Sequence, residues 1–449
     1  MLKTFRKGGV HPDPMKITAG KPIRTIPMPK EVKILLSQHI GAPAKCIVKP
    51  NDVVKAGQMV GEAAGFVSAP VHTPIAGKVK KIELVRDGQG LWKEAVIIEA
   101  FPPEGEEAPG ELKADFDCSS PVRSDNEIMA LTPKEIVEIV GDAGIVGLGG
   151  ASFPTRVKLT LPPGKSADLF IINGAECEPY LTCDDTLMRT YAKEVVEGIV
   201  YLMRAAGTPK AIIGIEANKP EAIHSMQEAA KLRMDLEIVP LRTRYPQGSE
   251  KQLIEALTGR VVPAAGLPVD AGVIVDNVAT AFAVQRAVRY GEPLMKRIAT
   301  VTGIGVKDAG DFIVPTGISA RELIEYAGGL PEDAGKVISG GPMMGRSMSQ
   351  LDSPMAKANG GILVMPADES MRGDVSPCIR CCNCVTACPM SLEPYLLQTL
   401  GEFDKDDEAL EAGVLNCLEC GCCSYICPSN RPLLDYIRLS KQRVRKMKK

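Results

Sequence analysis

The chain of 449 residues carries 53 Lys and Arg against 55 Asp and Glu, with 45% hydrophobic and 24% charged residues. That near balance leaves no overall field to attract nucleic acid or anionic lipid. The length exceeds what a single hydrophobic core supports and points to about three or four domains.

The opening MLKTFRKGGVHPDPMK places charges and prolines where a secretory signal needs an apolar run. No later segment approaches roughly 18 uninterrupted apolar residues, so neither an export signal nor a membrane span is expected. We read residues 1–29 as an N-terminal arm. Residues 30–100 follow as short β segments broken by Gly and Pro: IGAPAKCIVKPNDVVKAGQMVGEA, APVHTPIAGKVKKIELV and LWKEAVIIEA. This turn-rich pattern predicts a small barrel or sandwich. Its two halves resemble the barrel-sandwich hybrid of biotinyl and lipoyl carriers, which modify a lysine on an exposed hairpin. Here the tip reads PVHTP, with no lysine, so a scaffold or docking module is expected and His72 becomes a surface turn residue.

Residues 101–126 are rich in Pro, Glu, Ser and Asp and read as an exposed connection. A helix then opens at LTPKEIVEIV, where Thr132 can cap, Pro133 suits the first turn and Glu135 completes a capping box. Over 127–293 the runs ADLFIING, KAIIGIEAN, DLEIVPL and AGVIVDN alternate with helical stretches, which predicts a parallel sheet with helices on its faces. Residues 294–365 read strand, turn, strand, helix, strand, a small β-grasp unit. Residues 366–440 are mainly helical and cysteine-rich. The last segment, 441–449, belongs to a basic stretch, RLSKQRVRKMKK, whose default reading is a frayed, solvated helix end; contact with a membrane face or an acidic partner is the alternative.

Fourteen cysteines in an exported chain would suggest disulfides, but ten lie between 378 and 427 in metal-ligand spacing, which favours a reducing compartment. CIRCCNCVTACP and CLECGCCSYICP each spell C-x2-C-x2-C-x3-C-P. Three thiolates at that spacing wrap one corner of a [4Fe-4S] cubane, and the fourth cysteine is lent to the other cluster. The expected sets are Cys378, Cys381, Cys384 and Cys427 for one cluster, and Cys388, Cys417, Cys420 and Cys423 for the second. Zinc is the alternative, but paired cysteines would suffice for it and the repeat would be needless. Cys382 and Cys422 are surplus; each lies beside a ligand, so its sulfur should point away from the cubane and serve as packing behind it. Cys46 and Cys118 read as isolated, buried small residues.

Upstream, GIVGLGGASFPTRVKL follows the first helix without a strand feeding it, so it is not the dinucleotide fingerprint. INGAECEPY, YPQGSEKQLI and VDNVATAF each follow a buried strand, at the C-terminal strand ends where open α/β sheets bind ligands.

GLGGASFPTRVK resembles the GRGGAGFPTGLK loop of the flavin-binding subunit of respiratory complex I, and NGAECEP its NADESEP. Together with the FRKGGVHP start, the lysine-less barrel-sandwich module and the two cysteine runs, nearly the whole chain resembles the C subunit of the Rnf electron transport complex. The resemblance implies a multidomain α/β protein with an FMN-binding domain at 127–293, an SLBB-like β-grasp at 294–365 and a ferredoxin-like domain holding two [4Fe-4S] clusters. It implies an FMN cradle from Gly147, Gly149 and Gly150 with Lys158 as cationic partner, Asn173 and Glu176 on the isoalloxazine, and Asp276, Asn277 and Thr280 near the phosphate. Phe153, Glu178, Tyr245, Gly248 and Glu250 would line the NADH side. Leu148, Ala175, Cys177 and Ser249 depart from the complex I pattern and remove an arginine and an aspartate near the cofactor. The activity implied is exchange of electrons among NAD(H), FMN and the clusters at the cytoplasmic face of the cell membrane. The other Rnf subunits would couple that flow to ferredoxin and to movement of Na+ or H+. The rivals are a soluble cobalamin-reductase-type flavin and iron-sulfur enzyme, an adaptor like the A subunit of the sodium-pumping quinone reductase, and a zinc-stabilised interaction module.

Overall fold

The computed structural model describes residues 2–101, 116 and 120–447. Most of the connection expected at 101–126, Cys118 included, lies outside the described residues, as do Lys448 and Lys449.

Near the N-terminus, a four-stranded sheet ordered Glu31–Leu35, Trp92–Ala100, Gly77–Arg86, Val53–Val54 faces a three-stranded one of Lys45–Cys46, Met59–Glu62 and Val71–His72. Alternate residues point inward, as a pleated strand demands, and Val32, Ile34, Val60, Val71, Val79, Val96 and Ile98 form the core. This is the expected barrel-sandwich module. Cys46 is half-buried against that core, its thiol donating to the Val48 carbonyl at 3.4 Å.

The flavin-type domain is built on four parallel strands in the order Leu236–Leu241, Ala211–Glu216, Leu169–Gly174, Val273–Asn277. All four were legible as apolar runs, three of them because both faces of a parallel sheet are covered. Helices Pro133–Asp142, Ala192–Ala206 and Val278–Tyr290 cover one face, and Glu250–Thr258 covers the other. The first helix starts as its sequence predicts: the Thr132 amide donates to Glu135 at 2.7 Å and the Glu135 amide returns to the Thr132 hydroxyl at 3.3 Å. Strand Leu169–Gly174 is flanked on one side by the next strand in sequence and on the other by the last. Chain direction therefore diverges at its C-terminal end, opening a crevice where ligands settle in such sheets.

The β-grasp unit is a six-stranded mixed sheet with helix Ala320–Tyr326 against it. Its edge strand, Arg24–Thr25, comes from the N-terminal arm and runs parallel to Gly310–Pro315. The cysteine-rich unit is helical, with Pro394–Glu402, Asp406–Glu411 and Leu433–Met447 packed around Leu397, Val414, Leu433 and Ile437.

Two expectations are corrected by packing. As far as Met447 the basic stretch is not frayed. Its helix runs to Met447, with Arg443 on Asp406 at 2.7 Å, Arg438 on Glu419 at 3.3 Å, and nearly buried Lys441 on Glu419 at 3.0 Å. His72 is not at the surface either: the PVHTP tip turns into the flavin-type domain and leaves the ring 5% exposed. Burial first, and the neighbouring Lys357 second, lower its pKa to about 3.

Lys357 pins three units together. Its Nζ donates to the carbonyls of Pro70 and Gly144, both at 2.7 Å, while its amide donates to Gln38 at 3.0 Å. Burial lowers its pKa from 10.5 to about 7. The unfolded chain thus binds more protons between those values, so this amine's destabilising effect is full below pH 7 and fades as pH rises towards 10.5. The stability of Lys357→Met relative to wild type is expected to be highest at and below about pH 7 and to fall by up to about 1.4 kcal/mol per pH unit above that. Melting curves of both proteins across this range check it; a constant difference contradicts it.

Candidate functional site

The crevice at the end of strand Leu169–Gly174 collects most of the predicted flavin residues. The glycine loop is held by its own backbone, with the Gly147 amide on the Phe153 carbonyl at 2.9 Å. The Leu148 amide donates to the Thr280 hydroxyl at 3.0 Å, which ties the loop to the first turn of helix Val278–Tyr290. A Cβ on Gly149 would lie 2.8 Å from the Asn277 side chain, so only glycine lets the loop approach so closely; one on Gly150 would meet open space.

Lys158 reaches the Val275 carbonyl at 2.8 Å and lies 3.9 Å from Asp276. Glu250 faces the same pair, its pKa raised by burial against the pull of Lys158. Asp276 is 3% exposed, yet its Oδ2 has no hydrogen-bond partner. Asn277 caps the helix through the Ala279 amide at 2.8 Å and donates to Asp184 at 2.7 Å and to the Asn173 carbonyl at 3.2 Å. Asn173 in turn donates to the Gly248 carbonyl at 2.8 Å. An orphaned buried carboxylate oxygen, a side-chain-free glycine rim, a lysine and a capped helix N-terminus suit a phosphorylated flavin.

Glu176 is placed differently. Its carboxylate accepts from the amides of Asp184 and Asp185 at 2.7 and 3.3 Å, at the start of helix Cys183–Thr190. Burial raises its pKa against the pull of Lys16.

The predicted nicotinamide group divides. Phe153, Gly248 and Glu250 stay at the crevice. Glu178 instead accepts from the amides of Met343 and Met344 at 3.0 and 2.7 Å, in the β-grasp unit. Tyr245 is 2% exposed, and its hydroxyl donates to the Cys420 carbonyl at 2.8 Å. These two side chains tie the flavin-type domain to its neighbours.

Three cationic residues behind the crevice escaped sequence reasoning. Lys219 donates to the Ala175 carbonyl at 2.7 Å, Lys16 to the carbonyls of Glu176 and Glu178 at 2.9 and 3.0 Å, and Arg297 to the Leu148 carbonyl at 3.2 Å. Lys219 follows strand Ala211–Glu216 and could have been found as a further strand-end residue. Lys16 and Arg297 arrive from other domains and carry no local signal.

The cysteine runs repeat each other in backbone as well as spacing. Arg380 and Cys382, flanking the second cysteine of the first run, have φ of 56° and 59°; Glu419 and Gly421, at the equivalent places, have 59° and 81°. Such left-handed residues fold successive cysteines towards one point.

Cys388, Cys417, Cys420 and Cys423 line one pocket with Leu392, Leu397, Leu434 and Ile437. Burial raises the Cys417 thiol to about 11, and raises Cys388 and Cys423 as well, so a bound metal would displace their protons. Cys384 and Cys427 are electrostatic neighbours, while Cys378 and Cys381 are exposed. Four thiols converging in an apolar pocket suit a thiolate-ligated cluster.

The surplus cysteines do not behave as expected. Cys422 is fully buried, lines the same pocket and hydrogen-bonds Cys420, lowering the pKa of that thiol. Cys382 does point away, but into solvent rather than into packing. The two are not equivalent: Cys382 occupies the left-handed position itself, whereas Cys422 follows left-handed Gly421 and opens helix Cys422–Tyr425.

Comparison with known families gives four matches along the chain. Residues 3–101 match the RnfC barrel sandwich hybrid domain, 140–286 the Nuo51 FMN-binding domain, 298–347 the SLBB domain and 370–428 a 4Fe-4S dicluster domain. The protein is thus an oxidoreductase with FMN-binding and iron-sulfur domains. The C subunit of the proton-translocating ferredoxin:NAD(+) oxidoreductase complex of Clostridium ljungdahlii is 43% identical over 98% of this chain and 94% of its own. The C subunit of the Na(+)-translocating ferredoxin:NAD(+) oxidoreductase complex of Acetobacterium woodii is 41% identical over 98% and 96%. The C subunit of the ion-translocating oxidoreductase complex of Rhodobacter capsulatus is 40% identical over 98% and 83%. The chain belongs to the RnfC family, the C subunits of ion-translocating oxidoreductase complexes.

Proposed function

We propose that this chain is the NAD(H)-reacting subunit of a membrane-bound, ion-translocating complex, peripheral at the cytoplasmic face. It passes electrons between NAD(H) and two [4Fe-4S] clusters, with other subunits linking that flow to ferredoxin and to Na+ or H+. FMN, when bound, supplies exchange of electrons in pairs with NAD(H) and singly with a cluster.

Gly147, Gly149, Gly150, Lys158, Asp276, Asn277 and Thr280 lie at its phosphate end, where Lys158 and the positive end of helix Val278–Tyr290 favour an anion. Asn173 and Glu176 shape the loop against which the ring lies, and Phe153, Gly248 and Glu250 orient the nicotinamide. No protein base is required for hydride transfer; these residues act by positioning. Cys388, Cys417, Cys420 and Cys423 hold the cluster nearer the flavin, and Cys378, Cys381, Cys384 and Cys427 the one nearer solvent. Glu178 and Tyr245 form the wall between.

The observation that carries this reading is the Tyr245 hydroxyl on the Cys420 carbonyl at 2.8 Å, which brings crevice and thiol pocket to opposite sides of one residue. Among the described residues no helix is long and apolar enough to cross a membrane. Relatives at 43% and 41% identity are named for different coupling ions, which supports an ion path outside this chain.

Protein purified without oxygen is expected to contain about one FMN and eight irons per chain, with NADH bleaching both chromophores. Four or fewer irons after full reconstitution, or a colourless protein, overturns the proposal. Recovery of the native protein in the soluble fraction without integral partners would favour the soluble reductase.

A further inference from the structure

The N-terminal arm, which the cofactor assignments leave without a task, lies between the flavin-type domain and the thiol pocket. Lys3 pairs with Leu241 at the edge of the parallel sheet, and the Lys3 carbonyl accepts from the Arg242 amide at 2.9 Å. Arg244 then grips the next residues: its guanidinium sits 4.3 Å over the Phe5 ring and donates to the carbonyls of Phe5, at 2.9 Å, and Gly8. Val10 exchanges both backbone hydrogen bonds with Tyr245, at 2.8 and 2.9 Å. On its other side, the Gly9 amide donates to the Ala387 carbonyl at 2.9 Å, one residue before the ligand Cys388.

Gly8 marks the closest approach. It has φ +70°, and a Cβ there would sit 2.5 Å from the Cys388 carbonyl carbon and the Pro389 nitrogen. Backbone has no way to yield to such a clash as a flexible side chain does. Phe5 and Val10, at either end of this stretch, are 1% and 4% exposed, so the strap is anchored on both sides of the contact.

We propose that residues 5–10 are a positioning strap that sets the spacing between the flavin crevice and the cluster held by Cys388, with Gly8 and Arg244 as its positioning residues. The proposal rests on the assignment of a flavin and an adjacent cluster to this one chain. Electron transfer falls with the distance between redox partners, so a strap that sets this spacing is read in the rate of the cluster phase.

The test uses the full-length, cofactor-loaded protein. In single turnover with NADH, Gly8→Ala is expected to bleach flavin at the wild-type rate and retain FMN and iron, while cluster bleaching slows by about tenfold or more. Hydrogen exchange is expected to rise in peptides spanning 385–392 and 244–252. Gly20→Ala is the control: it has φ +78° with no atom within 4 Å of the added Cβ, so it carries the same backbone strain without displacement and is expected to leave both phases unchanged. Arg244→Gln loosens the strap without a clash and is expected to slow the cluster phase in the same sense. Wild-type cluster bleaching and exchange in Gly8→Ala overturn the proposal. So does iron loss in Gly8→Ala with both phases intact in Arg244→Gln, which would make the strap a support for the cluster fold alone. Wild-type protein that binds no flavin or shows no NADH response instead sinks the functional assignment, and is distinguishable on that ground.

Discussion

Cys388→Ser is expected to remove about four irons per chain while leaving FMN bound, and to behave like Cys417→Ser rather than like Cys378→Ser. Cys388 lies in the first run by sequence, but its sulfur shares a pocket with the three cysteines of the second. In both variants NADH should still bleach the flavin, because Lys158, Asp276 and Asn277 lie in a different domain. Reduction of the remaining cluster by NADH should then be largely lost, since the carrier beside Tyr245 is missing. Cys378→Ser should lose a similar amount of iron yet keep its remaining cluster reducible, because in the proposed order the Cys388 cluster lies between the flavin and the one lost. Cys422→Ser should retain full iron, its thiol being surplus to the four ligands. Iron analysis and cluster absorbance after one NADH addition separate these outcomes. Cys388→Ser that matches Cys378→Ser in keeping a reducible cluster would refute the exchange of fourth ligands between the runs.

Lys158→Met is expected to lower FMN affinity by about 10- to 150-fold, the range of a lost hydrogen bond to a charged group, with iron content unchanged. Lys158 lies 3.9 Å from the Asp276 carboxylate and also offsets the charge of the more exposed Glu250. Removing it leaves two carboxylates facing an anionic phosphate. Much of the purified variant should therefore be colourless in the flavin bands but brown from its clusters. Flavin retention through gel filtration, with the dissociation constant from fluorescence recovery, checks this. Full retention at wild-type affinity would remove Lys158 from the site.

Features that depend on near neighbours along the chain were legible in the residues alone. Three of the four parallel strands read as apolar runs because they are buried on both faces, and the edge strand Leu236–Leu241 keeps enough of the pattern to be read with them although it is only partly buried. The helix at Pro133 announces its start through Thr132 and Glu135, three residues apart. The cysteine runs declare cluster chemistry by spacing alone, since x2 intervals are a property of one short turn. Family resemblance adds the flavin loop on the same local terms.

Which of these pieces touch one another was settled only by folding. Tyr245 and Glu178 read as ligand-site residues in sequence, and folding sets them against the Cys420 carbonyl and the Met343 and Met344 amides. Lys16 and Arg297 reach the crevice from outside its domain, His72 is buried because its hairpin tip is covered, and the basic helix is ordered by Asp406 and Glu419. Each is a contact between segments far apart in the chain. Hydrophobic periodicity records how a segment faces its own core, whereas contacts between domains depend on relative placement, which no local pattern encodes.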